Sequence, residues 1–282
     1  MINQPNFCDL PENYADSEKA KIVILPVPYD GTSTWGKGAD KGPAAIIEAS
    51  ANMELYDIET DSEVYKQGIF TEKAVKEHAS PEKMVEVVQK KVSELLKKKL
   101  FTVLLGGEHS VSIGTIYAHA EKYKNMTVLQ FDAHSDLRSE YHNSKNNHAC
   151  IMARAQEVAK TVQVGIRSMD SSEKKNLAKS TVFFAEKIQE DKQWQEKVLA
   201  SLTENVYITI DLDVFDPAYL PATGTPEPGG LDWYQVTSLL RKVAEKKKIV
   251  GFDVVELAPN KMSAPSDFLA AKLVYKLLSY IF

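Results

Sequence analysis

Three short stretches carry metal-binding side chains at spacings that would bring them together. Asp132-Ala133-His134-Ser135-Asp136 sets a carboxylate, an imidazole and a second carboxylate at alternate positions, directly after the apolar run Met126–Phe131. An extended backbone sends alternate side chains to one face, so a strand ending here aims all three at one point. Asp211-Leu212-Asp213 repeats the alternation after Val206–Ile210, and Gly106-Gly107-Glu108-His109-Ser110 follows Phe101–Leu105. Four carboxylates gathered with His109 and His134 would repel one another and could not all stay ionised without a cation. Two divalent cations would neutralise them, and an oxygen-rich set with two imidazoles suits a borderline-hard ion such as Mn²⁺. Neither Cys8 nor Cys150 lies within these stretches, which disfavours a structural zinc site. Two metals about 3.5–4 Å apart can bridge one water, lower its pKa and present hydroxide to an electrophilic carbon. Taken singly, His109 reads as a helix-start or core histidine, Asp211 and Asp213 as strand-end caps, and Asp253 as a structural acid. Only the joint arrangement points to chemistry.

The elements that must position these groups are legible as buried strands. Lys21–Val27, Phe101–Leu105, Thr127–Phe131, Thr161–Ile166, Thr181–Phe184, Val206–Ile210 and Ile249–Phe252 are continuous apolar runs of strand length. They lack polar alternation, as strands covered on both faces do. Between them lie helical patterns. Met84, Val88, Val92 and Leu95 share one face, with Lys97–Lys99 closing the helix. Leu231–Lys247 is a second helix with Asp232 as its cap, and Asp267 caps a terminal helix bearing Leu269, Leu273, Leu277 and Ile281. This alternation predicts an α/β three-layer sandwich, a mostly parallel central sheet with helices on both faces. Ligands of such sheets bind beyond the carboxyl ends of the strands, where every motif above falls. The Gly/Pro-rich segments Pro28–Pro43 and Pro217–Gly230 each follow a strand and read as active-site loops. With no repeat, low-complexity stretch or linker, residues 1–282 are expected to form one domain.

Composition narrows the class. The 282 residues are 44% hydrophobic and 26% charged, with a net charge of −5, ordinary for a globular chain and without the basic bias of a nucleic-acid binder. Two distant cysteines give no disulfide framework, and Met1–Pro5 shows no signal pattern. No apolar run approaches membrane-span length. A cytoplasmic location is expected.

The motifs resemble those of the ureohydrolases, the arginase and agmatinase family. The resemblance rests on Gly-Gly-Glu-His-Ser at 106–110, Asp-Ala-His-Ser-Asp at 132–136 and Asp-Leu-Asp-Val-Phe-Asp-Pro at 211–217. It extends to Pro28-Tyr29-Asp30-Gly31-Thr32, Thr223-Gly224-Thr225-Pro226 and Asp253-Val254-Val255-Glu256. It implies a binuclear manganese enzyme, two Mn²⁺ per subunit, in which metal-bridging hydroxide attacks a guanidinium carbon and urea is released. His109 and Asp136 would serve one metal, His134 and Asp213 the other, with Asp132 and Asp211 between them. The spacing alone does not decide which carboxylates bridge. Glu256 matches the guanidinium-binding carboxylate, Thr225 a threonine touching the reacting group, and His148 the proton-shuttling histidine. His142, in the same loop, is a rival expected to face solvent, and Cys150 reads as a packing residue. The resemblance also implies a homo-oligomer, often a trimer or hexamer.

The substrate tail is less clear. The loop Leu137–Asn147 does not match the arginase pattern, and Asp-Leu-Arg-x-Glu-Tyr followed by Asn-His-Ala-Cys looks like bacterial and archaeal agmatinases. Agmatine, yielding putrescine and urea, is therefore the first expectation, with Glu140 or Asp170 meeting its ammonium. Aminopropylagmatine, arginine and formimidoylglutamate are the alternatives; for the last, Arg138 or Lys145 could meet the substrate carboxylate. An amine deacetylase would use one zinc and a histidine pair, and a silent binding protein would have lost a ligand, His148 or Glu256. Retention of the whole set argues against both.

Overall fold

The computed structural model describes residues 5–260 and 264–282. Its strands are β1 (Ile22–Val27), β2 (Ile69–Thr71), β3 (Phe101–Gly106), β4 (Met126–Phe131), β5 (Lys160–Ile166), β6 (Thr181–Phe184), β7 (Asn205–Asp211) and β8 (Lys248–Val255). They form one sheet in the order β2-β1-β3-β8-β7-β4-β5-β6, parallel throughout. The seven apolar runs are all strands. The strand missed is β2, whose three residues at the sheet edge are too few to carry a pattern.

Alternate strand residues face two separate cores. Ile22, Ile24, Leu129, Phe131, Ile208 and Ile210 pack beneath the helices Gly42–Ser50, Trp194–Ser201, Trp233–Lys246 and Ala264–Ile281. Val23, Leu25, Leu104, Val128 and Val255 pack beneath Pro81–Lys97, Val111–Lys122 and Ile151–Ala155. This is the expected three-layer sandwich, and burial on both faces explains why the strands read as unbroken apolar runs.

The capping expectations divide. Asp232 accepts the Gln235 N–H at 2.7 Å while the Gln235 side chain accepts the Asp232 N–H at 2.9 Å, a complete capping box. Leu231 lies outside that helix, bridged to Phe215. Asp267 is not a cap. The last helix already runs from Ala264, because Pro265 suits a first helical turn, and Asp267 falls inside that turn.

The adjacent strands β4 and β7 send their connections in opposite directions across the sheet, β4 to β5 and β7 to β8. Strand-end loops diverge at such a point and leave a crevice. Gly107 shapes its near wall: its N–H donates to Val27 O at 2.9 Å, and Glu108 N–H to Tyr29 O at 2.8 Å. A Cβ at Gly107 would lie 1.9 Å from Tyr29 O, a backbone atom that cannot move aside. Gly107→Ala should therefore lower the unfolding free energy by about 3 kcal/mol, measured by denaturant titration, with the displaced His109 loop lowering activity further.

Candidate active site

Register brings the acids together. Phe131 pairs with Ile210, Ile210 with Val254, and Val254 with Leu105. The next residues up the neighbouring strands β4 and β7 are Asp132 and Asp211, so these two leave the sheet at one level. His109 Nδ1 lies 3.2 Å from Asp132 Oδ2, 3.2 Å from Asp136 Oδ2 and 3.3 Å from Asp211 Oδ2. His134 Nδ1 lies 2.8 Å from Asp213 Oδ2 and 3.6 Å from Asp132 Oδ1. Two candidate ligand triads result, His109–Asp132–Asp211 and Asp132–His134–Asp213, and they share Asp132. Asp136 stands beside the first through its approach to His109.

Local backbone chemistry holds the ligands. Asp136 has φ 52° and Glu256 φ 65°, left-handed conformations that are costly for residues with a Cβ. Ala133 N–H donates to Asp213 Oδ1 at 3.0 Å, and Gln130 Nε2 to Asp132 Oδ2 at 2.7 Å. Glu173, unforeseen from the sequence, accepts the Ser135 hydroxyl and the Leu137 N–H, bracketing Asp136. Arg167, likewise unforeseen, donates to the carbonyls of Asp213 at 2.6 Å and Glu227 at 2.8 Å, tying the loop after β7 in place. Neither lies in a motif of its own; each acts across more than thirty residues of chain, so no local pattern signals it.

The imidazole of His109 reveals what the cluster is built for. Its Nε2 is 2.8 Å from the Thr209 hydroxyl, which donates to Asp253 Oδ1 at 2.6 Å; Tyr207 donates to Asp253 Oδ2 at 2.6 Å. A hydroxyl that spends its proton on Asp253 can only accept from His109. Nε2 then carries the hydrogen, and Nδ1 presents a lone pair to three carboxylate oxygens. Nδ1 is buried and none of the three approaches has hydrogen-bond geometry. Converging lone pairs with no proton between them fit a bound cation, and carboxylate-imidazole donors fit a divalent metal.

Proton affinities express the same crowding. Where no cation sits among these groups a proton takes its place: burial opposes a charge on His109, yet Asp132, Asp136 and Asp211 outweigh it and hold the ring well above its ordinary value. Asp211 is pushed well above the carboxylate range by burial, then by Asp213 and Asp132. Burial and Asp132 push Asp136 up to about 7. His148 moves the other way, down to about 4, through burial and then the positive charge of His109 and His134.

The triads open into a cavity of about 290 Å³. Glu256, His148, Thr225 and Asp170 all line it, as do Thr34, Tyr141 and Met169, which the sequence did not single out. Glu256 Oε1 accepts the His109 N–H at 2.8 Å, tying β8 to the loop after β3. Glu140 is exposed and lies outside the lining. The Arg138 guanidinium stacks on Tyr141, 4.5 Å from the ring centroid; that contact turns both residues inward and leaves the intervening Glu140 facing solvent. His142 is exposed, edge-on to Tyr141, and Cys150 is buried with its thiol pushed up to about 12 by that burial.

Residues 20–279 match the Arginase family. The chain belongs to that family. Its members are ureohydrolases, hydrolases of C–N bonds in linear amidines, and this chain is one of them. It is 35% identical to the N(1)-aminopropylagmatine ureohydrolase of Synechocystis sp., over 99% of this chain and 97% of that one. It is 32% identical to the agmatinase of Pyrococcus horikoshii, over 92% of each. The agmatine ureohydrolase structure from Thermoplasma volcanium superposes with a TM-score of 0.90 at 30% identity, covering 100% of this chain and 95% of that one. The family is typically binuclear and metal-dependent, which the shared-Asp132 arrangement accommodates.

Three outcomes follow for this ureohydrolase. Thr209→Val removes the acceptor that holds His109 and should weaken divalent-metal affinity by about 10- to 100-fold, read by calorimetric titration. Asp132→Asn should lower occupancy of both positions at limiting metal, read by elemental analysis; full retention of both ions would contradict a bridging position. Asp136 must be ionised to bind metal and is protonated below about 7. Affinity should therefore fall as pH is lowered through 7, by about tenfold per unit for each proton displaced.

Proposed function

We propose that this ureohydrolase releases urea from a cationic guanidino compound of the polyamine type, with N(1)-aminopropylagmatine as the first candidate. The observation that carries the reaction is that two ligand triads sharing Asp132 open into the same cavity as Glu256 and His148. The order of substrates rests on the relatives: the sequence motifs put agmatine first, but the relatives at 35–37% identity act on N(1)-aminopropylagmatine, and agmatinases follow at 32% and below. Agmatine is the second reading, supported by those agmatinases.

In this reading residues 1–282 act as one catalytic domain holding two Mn²⁺. His109 and Asp136 would hold one, His134 and Asp213 the other, with Asp132 and Asp211 between. When bound, such a pair supplies a water activated to hydroxide strength near neutral pH. Glu256 holds and orients the guanidinium. Its carboxyl is pushed well above the usual range by burial and by Glu108, and a docked cation supplies the charge that keeps it ionised. Thr225 contacts the reacting group from the cavity wall. His148 delivers a proton to the departing amine. Asp170, in the cavity lining, would meet an ammonium of the tail, sharing its charge with Arg138 at 3.6 Å. Loss of urea from N(1)-aminopropylagmatine leaves a triamine, so the reaction belongs to polyamine biosynthesis. The family resemblance further supports a cytoplasmic homo-oligomer, a trimer or hexamer.

A urea assay of Mn²⁺-loaded enzyme on N(1)-aminopropylagmatine, agmatine and arginine, with formamide release from formimidoylglutamate in parallel, tests the assignment. Turnover should be highest on N(1)-aminopropylagmatine, and faster turnover of arginine would overturn it. His148→Ala should keep both metals and lower kcat by about 100-fold. Glu256→Gln should lower kcat and raise KM together, since it removes both charge and orientation.

A further inference from the structure

Beside His148 stands a hydroxyl that the proposed reaction does not use. Thr32 Oγ1 lies 3.0 Å from His148 Nδ1 and accepts the His148 backbone N–H at 3.0 Å.

A threonine hydroxyl has one proton and two lone pairs. One lone pair takes the backbone N–H, and the hydroxyl meets Nδ1 with its other lone pair or with its proton, as the tautomer requires. In either case Nδ1 is engaged and Nε2 is left for the cavity that the ring lines. Loop position alone would need only the backbone contact. The second contact, to the ring, is what orients the imidazole.

We propose that the Thr32 hydroxyl positions the His148 imidazole for proton transfer. Thr32 is a positioning residue and is not among the residues lining the cavity. Nε2 takes the proton of the incoming water and hands it to the departing amine nitrogen, so the ring ends in the state in which it began. During the interval the ring is cationic, and Nδ1–H donates to Thr32 Oγ1. The proposal rests on the reading of His148 as the proton carrier.

A double-mutant cycle with His148→Ala tests it, using metal-loaded enzyme and whichever of agmatine or N(1)-aminopropylagmatine turns over faster. Thr32→Val is nearly isosteric and should lower kcat by about tenfold or more, with KM within about twofold and metal content equal to the parent. Thr32→Ser, which restores the hydroxyl, should recover most of the loss. In the His148→Ala background Thr32→Val should cost nothing further, because the hydroxyl acts through the ring. Thr32→Ala provides the same comparison if the valine variant does not fold. The positioning role is overturned if Thr32→Val slows the His148→Ala enzyme by the same factor as the parent, if it strips metal, or if it leaves kcat unchanged while His148→Ala is slow. If His148→Ala itself is as fast as the parent, the assignment of the proton carrier fails first and the role of Thr32 falls with it.

Discussion

Four aspartates and two histidines converge at the carboxyl end of a parallel sheet, and much of the surrounding structure exists to tolerate their charge. Two like charges about 4 Å apart repel by roughly 4 kcal/mol at the effective dielectric near a protein surface. The chain cannot relieve this by turning the groups to solvent: Asp132 and His109 are almost wholly buried and Asp211 and Asp213 nearly so. Backbone N–H groups relieve part of it, as where Asp213 N–H donates to Asp211 Oδ1 at 2.9 Å. The remainder calls for cations. This is why the proton affinities of the cluster are pulled in opposite directions, Asp132 held below its ordinary value by the paired histidines despite burial while Asp136 and Asp211 are raised.

Hydroxyls manage the interface between this cluster and the rest of the core. A threonine beside a carboxylate has its single proton committed and can only accept from the imidazole on its other side. Thr209 does this for His109. The buried acid Asp253 is itself supported by Tyr207, whose ring packs at 4.6 Å from that of His119 in the helix above. The path from a metal-facing nitrogen to an ordinary helix core is therefore three hydrogen bonds and one ring contact long. Such satisfied polar networks rigidify a core, whereas a half-satisfied one would weaken it.

At the mouth the chemistry changes from ligation to selection. Arg138 is held by Tyr141, by Asp170 at 3.6 Å and by Glu173 at 3.8 Å. It therefore shares the charge of the two acids beside it. The loop from 137 to 147 that carries it departs from the arginase pattern. Relatives acting on N(1)-aminopropylagmatine and on agmatine share the family, and their substrates differ in how far the tail extends beyond the guanidinium.

The sequence by itself determined the α/β class, seven of the eight strands, the cap at Asp232 and the six carboxylate and imidazole side chains that the fold gathers around Asp132. The reason is local: strands buried on both faces must be apolar along their whole length, and a strand end that presents alternating ligands must spell them two residues apart. Tertiary structure decided what depends on contacts distant in sequence. Only the register of β4 against β7 shows that Asp132 and Asp211 leave the sheet at one level. Only packing shows that Arg138 and Tyr141 turn Glu140 outward, that Glu173 and Arg167 lock the ligand loops, and that Asp253, read in isolation as a structural acid, reaches His109 through Thr209. Thr32 lies 116 residues from His148. A hydrogen bond across that separation leaves no periodicity in the chain, because its geometry is set by the sheet between its ends.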